Sequence, residues 1–290
     1  MERKYFFIKT NNYLNNFISE IFSSKTGFNS EIISTDDFIK NFDIFTKDKN
    51  NIPIFYGILR NCYQLMEKLK EINHDFLYVD HGYFSKRENN ISNYYRIVKN
   101  NRYFSGKIYP NLSERRYLQI HGYENEIHKS FLCSSFSDKK NIILIPPSFS
   151  ICNYLSINYL QWVDEISEKI RENVKDKNII VKLKNENDTP LEILLKDCYA
   201  LIHHSSMASL EAIKKFIPVI TTNDNFFLKK YLDIKIEDLG DSEILKETIA
   251  NKYFTIKDLL LNLSFRQFTI EEIKNNFAYK KVEYMYFIDK

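Results

Sequence analysis

The sequence predicts an α/β protein of two domains, each built around a parallel sheet. Three observations support this prediction. A chain of 290 residues is longer than most single domains. Short apolar segments alternate with segments whose apolar residues recur at helical spacing, as strands and helices do in α/β folds. Gly and Pro number only six each, so the few that occur are expected to mark turns.

The first half predicts a strand–helix–strand unit that follows an N-terminal strand and helix. The strands are predicted at 5–8, 52–58 and 76–79, and the helices at 13–22 and 61–72. The last strand runs directly into Asp80-His81-Gly82, which predicts a polar turn at its carboxyl end. Residues 85–140 are rich in Asn, Tyr, Arg and Ser and predict loops and short elements.

The second half alternates short strands with helices, as a Rossmann-like half does. The strands are predicted at 142–145, 179–183, 200–202 and 218–221, and the helices at 158–174, 190–196 and 207–215. The tail, 256–277, predicts mostly helix. These patterns place one Rossmann-like domain at 1–138 and a second, with a helical tail, at 139–290. Open α/β sheets bind ligands at the carboxyl ends of their strands, so a central interdomain cleft is the expected site.

Bulk properties argue against several functional classes. The net charge of +3 is far below that of a protein that coats nucleic acid. The four cysteines are widely spaced and form no CxxC pair, so neither a zinc site nor a disulfide framework is predicted. No segment has the length of a signal peptide or a membrane span, so a cytoplasmic protein is expected. The sequence has no GxGxxG, GxxxxGK[ST], GxSxG or HExxH motif, and dinucleotide, P-loop and related chemistries are unsupported.

The stretch His203-His204-Ser205-Ser206 stands where an apolar strand ends and a helix is predicted to begin. Free backbone N–H groups and the helix dipole favour an anion there, and serine hydroxyls can donate to phosphate oxygens. Glu211, further into the helix, is suited to ribose hydroxyls. Adjacent histidines rarely converge on one ion, so no metal is predicted. The alternative is that Ser205 or Ser206 only caps the helix.

Asp80, at the end of its strand and beside a glycine turn, is placed to act as a general base toward an acceptor hydroxyl. His81 is a second candidate for base or substrate ligand. The alternative is that Asp80 only caps the turn.

Several basic residues are candidates for phosphate or acceptor contacts. Arg96 can clamp a phosphate or carboxylate through two nitrogens. Lys99 follows it in Tyr94-Tyr95-Arg96-Ile97-Val98-Lys99, and Lys182 and Lys184 flank the end of the strand at Leu183. For each, a solvated side chain with no ligand is the alternative.

The order of several of these stretches resembles a group of bacterial and phage proteins with a YxDHxYF…YYRI pattern. Residues 78–84 and 94–97 carry that pattern, and residues 194–212 with Pro218-Val219-Ile220 are similar to the donor domain of GT-B glycosyltransferases. Among these are the capsule and lipopolysaccharide Kdo-transferase-like proteins. Residues 267–273 resemble a recurring C-terminal stretch of the same group. The sequence departs from the group at Lys184-Asn185-Glu186-Asn187, where a His-Pro is common, and at Phe216-Ile217, where a Gly is usual.

The resemblance implies a GT-B-like fold in which a nucleotide-sugar binds the C-terminal domain and an acceptor binds the N-terminal domain. It implies that Ser205 and Ser206 meet the donor phosphate and that Asp80 is the base of an inverting, metal-independent transfer with no cofactor besides the co-substrate. CMP-, UDP- and GDP-linked sugars remain open as donors. Tyr83, Arg96 and Lys99 are expected near the acceptor, which is a glycan or, with Arg102, Arg115 and Arg116 along its path, a modified DNA base of a phage. The alternative is a non-catalytic nucleotide- or glycan-binding protein on the same fold.

Overall fold

A computed structural model of the chain describes residues 3–11, 13–24, 26–58, 61–88, 91–104, 107–132, 135–183 and 189–288. Two compact units divide it: unit 1 comprises Met1–Tyr109 and Asn262–Lys290, and unit 2 comprises Pro110–Leu261. This division differs from the predicted boundary after residue 138, because the chain enters unit 2 at Pro110 and returns to unit 1 at Asn262. The predicted departure at Lys184-Asn185-Glu186-Asn187 lies outside the described residues.

Twelve strands occur among the described residues. They are β1 (Lys4–Lys9), β2 (Ser30–Ser34), β3 (Asn51–Tyr56), β4 (Leu77–His81), β5 (Arg87–Glu88), β6 (Ile91–Ser92), β7 (Tyr95–Lys99), β8 (Asn141–Ile145), β9 (Asn178–Val181), β10 (Cys198–His203), β11 (Val219–Thr221) and β12 (Gln267–Phe268). The predicted strands of both halves are all present within a few residues of their expected bounds.

Fifteen α-helices accompany these strands in the described ranges. They are α1 (Tyr13–Ser23), α2 (Thr35–Lys40), α3 (Phe42–Lys47), α4 (Cys62–Glu71), α5 (Arg115–His121), α6 (Ile127–Leu132), α7 (Phe149–Leu155), α8 (Tyr159–Asn173), α9 (Leu191–Leu194), α10 (Ser209–Ile213), α11 (Phe227–Leu232), α12 (Ser242–Asn251), α13 (Tyr253–Phe265), α14 (Ile270–Lys274) and α15 (Phe277–Glu283). None of them combines the length and apolar composition that crossing a membrane requires.

The main sheet of unit 1 has the strand order β12-β7-β4-β3-β1-β2. Strands β2, β1, β3 and β4 are parallel, as the strand–helix alternation predicts, whereas β7 runs antiparallel to both of its neighbours, β4 and β12. Unit 2 has a wholly parallel sheet with the order β11-β10-β8-β9. The α/β class is therefore confirmed.

Both sheets reverse their winding direction next to their first strand. In unit 1 the first strand, β1, lies between β2 and β3, and in unit 2 the corresponding strand, β8, lies between β9 and β10. At such a switch point, the loops that follow the two neighbouring strands run in opposite directions. Open α/β sheets bind ligands in the crevice between these loops, at the carboxyl ends of the strands. In unit 2 this point is between the loops that follow β8 and β10.

The core of unit 1 lies on both faces of its main sheet. Phe7, Ile54 and Val79 pack on one face, with α1 and the C-terminal helices. Phe55 and Tyr78 pack on the other face, with the apolar side of α4. Because successive side chains of a strand point to opposite faces, this alternation also fixes where the polar residues at the end of β4 point.

The tail completes unit 1 rather than unit 2. Its prediction as mostly helix is confirmed, and the one break is β12, which pairs with β7 through Gln267 opposite Arg96. Thr269 then caps α14 and accepts from the backbone N–H of Glu272, whose carboxylate accepts from the Thr269 N–H in return. Phe268, Tyr286 and Phe287 are buried in the unit 1 core.

Candidate active site

The polar turn of unit 2 lies at the carboxyl edge of its sheet, beside the switch point. His203 ends β10 and is in register with Ile145 at the end of β8 and with Thr221 at the end of β11. Lys182 follows β9, and its backbone N–H donates to the carbonyl of Leu144 at 2.8 Å. The structure thus brings the predicted donor residues His203, His204, Ser205, Ser206 and Lys182 to one edge of one sheet.

The turn after β10 holds backbone donors that the protein itself does not use. The Ser206 N–H donates to Nδ1 of His203 at 2.9 Å, and the Ala208 N–H donates to Oγ of Ser206 at 3.2 Å. Within the described part of the chain, the N–H groups of Ser205 and Met207 donate to no protein acceptor. Both serines are half-buried. These N–H groups and the two hydroxyls form a concentrated set of donors suited to an anion.

His203 shapes this turn from within. Its side chain is fully buried, and burial, followed by the neighbouring His204, lowers its pKa to about 3, so the imidazole is neutral. Nδ1 accepts from a backbone N–H, which can only donate, so the proton of the neutral ring is on Nε2. Nε2 is buried without a hydrogen-bond partner, and the ring packs against Phe226 with centroids 5.1 Å apart. His203 therefore positions Ser206, although the sequence suggested that it contacts the donor.

The helix after the turn is shorter than predicted. Sequence spacing predicted 207–215, whereas α10 covers Ser209–Ile213, because the chain first makes a tight turn at Met207 and Ala208. Five residues supply little helix dipole, so the N–H groups of the turn matter more than the helix for an anion. Glu211 pairs with Lys214 on the same helix at 2.7 Å, and its side chain is 43% exposed.

Asp80 and His81 are adjacent at the end of β4 but point to opposite faces of the sheet. Asp80 lies on the Tyr78 face, where Oδ2 accepts from the Tyr78 hydroxyl at 2.7 Å and from Nη2 of Arg96 at 2.9 Å. Arg96 is directly opposite on β7. Its Nη1 also donates to the His81 carbonyl at 2.8 Å, and only 6% of its side chain is exposed.

These contacts make Asp80 a weak proton acceptor. Its Oδ1 accepts from the backbone N–H of His81 at 2.8 Å, so both carboxylate oxygens are engaged. Burial raises the pKa of the Asp80 carboxyl, but Arg96, the His81 ring and the Tyr78 hydroxyl oppose it and hold that pKa below its usual value. The geometry suits a carboxylate that holds Arg96 in place better than one that removes a proton.

His81 lies on the other face, among polar and aromatic side chains. Its Nδ1 is hydrogen-bonded to the Ser92 hydroxyl, whose own backbone N–H donates to the Tyr95 hydroxyl at 3.3 Å. The rings of Tyr56 and Tyr95 are 6.3 Å and 6.2 Å from the imidazole, measured between centroids. His81 is half-buried at the carboxyl edge, and the bond to Ser92 orients its ring.

The other residues of unit 1 that were predicted to contact phosphate or acceptor do not lie together on one surface. Lys99 lies at the opposite edge of the sheet, because it pairs with Leu77 at the start of β4, and its Nζ binds Asp75 at 2.7 Å. Tyr83 is buried, its hydroxyl donates to the Tyr103 carbonyl, and its ring is 5.5 Å from the Arg96 guanidinium. Both therefore have structural roles in the described fold. Arg115 and Arg116 belong to α5 in unit 2, whereas Arg96 and Arg102 belong to unit 1.

Gly82 permits the close approach that joins these elements. Its N–H donates to the Tyr94 carbonyl at 2.8 Å. A Cβ at this position would lie 2.6 Å from Oε1 of Gln267 and 2.8 Å from Cβ of Tyr94. Gln267 uses the same oxygen to accept from the Phe84 N–H at 3.1 Å. The glycine in Asp80-His81-Gly82 is therefore required by packing of β12 and the turn.

Sequence reasoning missed several residues that complete the two edges. Tyr78 and Ser92 bind the predicted catalytic residues. Tyr78 begins the YxDHxYF pattern but was given no role from it, and nothing in the sequence pointed to Ser92. Trp162, in the first turn of α8, has its ring 6.4 Å from that of His204. Across the described ranges, no three His, Cys, Asp or Glu side chains come together as ligands of a metal would.

No family model matches the chain, and no curated protein matches it. Solved structures are similar to it at low identity, and two of them come from one protein. The β-Kdo 2,7-transferase of Thermosulfurimonas dismutans KpsC has a TM-score of 0.46 and 11% identity, over 97% of this chain and 100% of that chain. The β-Kdo 2,4-transferase of the same KpsC has a TM-score of 0.45 and 12% identity, over 81% of this chain and 88% of that chain. At this level of similarity, activity has to be inferred from the residues themselves.

Proposed function

We propose that the chain is a glycosyltransferase that moves a sugar from a nucleotide-sugar donor to a hydroxyl of an acceptor. The observation that supports it best is the turn after β10 at a switch point. There the Ser205 and Met207 N–H groups, beside two serine hydroxyls, have no acceptor among the residues that the structure describes. This arrangement suits the phosphates of a CMP-, UDP- or GDP-linked sugar. The acceptor is a glycan or a modified DNA base, and it binds at the carboxyl edge of unit 1.

The reaction asks two things of the protein. The acceptor oxygen attacks the anomeric carbon, the bond from that carbon to the phosphate oxygen breaks, and the nucleotide leaves with the bonding electrons. The N–H groups of the turn and the hydroxyls of Ser205 and Ser206 stabilise the negative charge that develops on the phosphate. Lys182, at the same edge, adds a positive charge. No metal is assigned a step, and the transfer inverts the anomeric centre.

The second requirement is a base for the acceptor proton. His81 fits it better than Asp80, because Ser92 orients its ring, whereas both oxygens of Asp80 are engaged. Asp80 then acts as a positioning residue: it fixes Arg96, which in turn binds the carbonyl of His81.

One observation favours the second candidate function, a non-catalytic nucleotide- or glycan-binding protein. The carboxylate that the sequence nominates as the base is bound to Arg96 and Tyr78 and has a lowered pKa. A binding protein needs no base, so it is compatible with that arrangement. Consumption of the donor separates the two functions, because only the transferase releases free nucleotide in the presence of an acceptor.

A nucleotide is expected to raise the melting temperature of the protein, and Ser205→Ala/Ser206→Ala is expected to abolish the rise. Ligand at 100 times its Kd stabilises a protein by about 2.7 kcal/mol, which is a shift of several degrees. Differential scanning fluorimetry with CMP, UDP, GDP and their sugars measures it. Ser242→Ala is the matched control, because this half-buried serine begins α12 and its side chain makes no hydrogen bond in the described structure. No shift with any nucleotide would contradict the donor site.

Replacing His81 with glutamine is expected to lower kcat about 10²- to 10⁴-fold, the usual contribution of general base catalysis, without changing nucleotide affinity. Release of free nucleotide from the donor that binds measures kcat, and thermal shift measures affinity. His128→Gln removes an exposed histidine in unit 2 and is the control. Turnover that survives in His81→Gln would remove this residue from the mechanism. Binding of a donor without turnover in the unmodified protein, across glycan and DNA acceptors, would favour the binding protein.

A further inference from the structure

Trp162 is the only tryptophan of the chain, and it lies beside the turn after β10. It belongs to the first turn of α8, which begins at the carboxyl edge of the unit 2 sheet and runs back toward the start of β9. Its indole ring is half-buried and stands at 81° to the ring of His204, with 6.4 Å between centroids. His204 is the residue that directly precedes Ser205, so the indole is one side chain away from the N–H donors.

Two further aromatic rings lie at the same edge. Phe149 is the first residue of α7, four positions after Ile145 ends β8, and Tyr159 is the first residue of α8. Their ring centroids are 5.2 Å apart at 32°, and Phe149 is 63% exposed. Tyr159 and Trp162 are three residues apart on α8 and therefore share a face of that helix. We call Phe149, Tyr159 and Trp162 the aromatic shelf.

The position of the aromatic shelf is not one that a folding core explains. A large aromatic side chain exposed to 63% contributes little burial, and apolar surface beside a polar cluster is typical of a ligand site. The shelf follows β8 and the donor-rich turn follows β10, so the two occupy the loops on either side of the switch point of unit 2. On the β10 side of the switch point, the turn offers hydrogen-bond donors to an anion. On the β8 side, the aromatic shelf offers ring faces to a flat ring.

We infer that the aromatic shelf binds the nucleobase of the donor by stacking, with Trp162 as the main contact. A nucleoside phosphate has the same two chemical ends as the crevice: a charged phosphate and a flat aromatic base. Stacking accepts every base because each has an aromatic face, so the shelf supplies affinity for the nucleoside and leaves the choice of base to other contacts. The inference rests on the proposed function, since it takes the phosphate to lie at the turn after β10.

The single tryptophan gives a direct test by fluorescence. A stacked base quenches indole emission, so CMP, UMP or GMP is expected to quench the protein with a saturable dependence on concentration. Inorganic pyrophosphate has no ring, and it is expected to raise the melting temperature without quenching. Free N-acetyltryptophanamide under the same nucleotide concentrations corrects for absorption of the exciting light.

Trp162→Leu is expected to weaken nucleotide binding about 10- to 100-fold, the range that stacking energies imply, and to leave pyrophosphate binding unchanged. Calorimetric titration measures both affinities. Trp162→Phe, which keeps an aromatic face, is expected to retain most of the nucleotide affinity. Phe149→Ala, an exposed position, provides a second variant whose fold is not at risk and is expected to weaken the nucleotide alone.

The outcomes separate this inference from the proposed function. Nucleotide affinity within twofold of the original in Trp162→Leu and in Phe149→Ala would overturn the stacking surface, even if Ser205→Ala/Ser206→Ala still abolished binding and so supported the donor site. Equal loss of nucleotide and pyrophosphate affinity in Trp162→Leu would also overturn it, because the residue would then act through the turn. Failure of both nucleotide and pyrophosphate to bind the unmodified protein would overturn the donor site and the shelf together.

Discussion

Asp80→Asn is expected to lower the free energy of unfolding by about 3 kcal/mol, as removal of one partner from a buried ion pair does. Arg96 has 6% of its side chain exposed and Asp80 has 26%, so water replaces little of the lost charge. The asparagine still offers one oxygen, but its amide would turn N–H groups toward the guanidinium. Among the described residues, the buried Nε of Arg96 has no hydrogen-bond partner, so its cation depends on Asp80 and on the His81 carbonyl.

Chemical denaturation measures the change, and Asp176→Asn is the matched control. Asp176 makes an ion pair with Lys177 at 3.2 Å with 75% of its side chain exposed, so its replacement is expected to cost less than about 1 kcal/mol. A double-mutant cycle with Arg96→Met isolates the coupling between Asp80 and Arg96. If Asp80→Asn costs no more than Asp176→Asn, the ion pair does not hold β4 and β7 together, and Asp80 becomes available again as a base.

The expected loss of stability in Asp80→Asn also affects how its activity is interpreted. A loss of turnover in Asp80→Asn would normally indicate a catalytic carboxylate. Here we expect the same substitution to destabilise the fold, which would lower turnover by itself. Turnover has therefore to be measured at a temperature where Asp80→Asn is still folded. A loss in His81→Gln, which breaks one hydrogen bond to Ser92 and leaves the ion pair intact, is the more informative result.

The sequence predicts the parallel core because its strands are short apolar segments with polar ends. Ile142 to Ile145 and Ala200 to Ile202 have no other plausible structure in a strand–helix alternation, and their ends locate the polar turn without any structure. The opposite orientation of Asp80 and His81 was not predicted, because the sequence placed both in a turn after residue 79, whereas β4 continues to His81. The strands and the polar turn after β10 therefore follow from local pattern, and the orientation of these two side chains does not.

The sequence does not predict what depends on pairing between distant segments. Tyr95–Lys99 carries an arginine and a lysine, which favoured a loop, and it becomes a strand because β4 and β12 flank it. The Asp80–Arg96 pair depends on the register between β4 and β7, because the two residues are 16 positions apart in the sequence. The proximity of Trp162 to His204 depends on how α8 packs within unit 2. None of these contacts produces a pattern in the local sequence, so each could be identified only from the three-dimensional structure.

The stability of the protein is expected to fall as the pH drops from 6.5 toward 3, and His203 is expected to account for part of the slope, together with His121, whose pKa burial also lowers to about 3. In the unfolded chain a histidine binds a proton with a pKa of about 6.5. In the folded chain burial lowers the pKa of His203 to about 3. Between these values the unfolded state binds more protons, so stability rises with pH and is lost as the pH falls. The contribution of this one residue lost at pH 5 is about 2 kcal/mol.

His203→Asn separates this contribution from other acid effects. Asparagine can still accept the Ser206 N–H through its side-chain oxygen, but it does not titrate, so the variant is expected to lose less stability between pH 7 and pH 5 than the unmodified protein. The lowered pKa of Asp80 acts in a separate window, because that carboxylate keeps its stabilising charge until the pH falls below the usual aspartate value near 3.9. Unfolding measured in urea at several pH values gives both slopes, with His128→Asn as the exposed control. Equal slopes for His203→Asn and the unmodified protein would mean that His203 is not held neutral beneath the turn, and the tautomer assigned to it would be wrong.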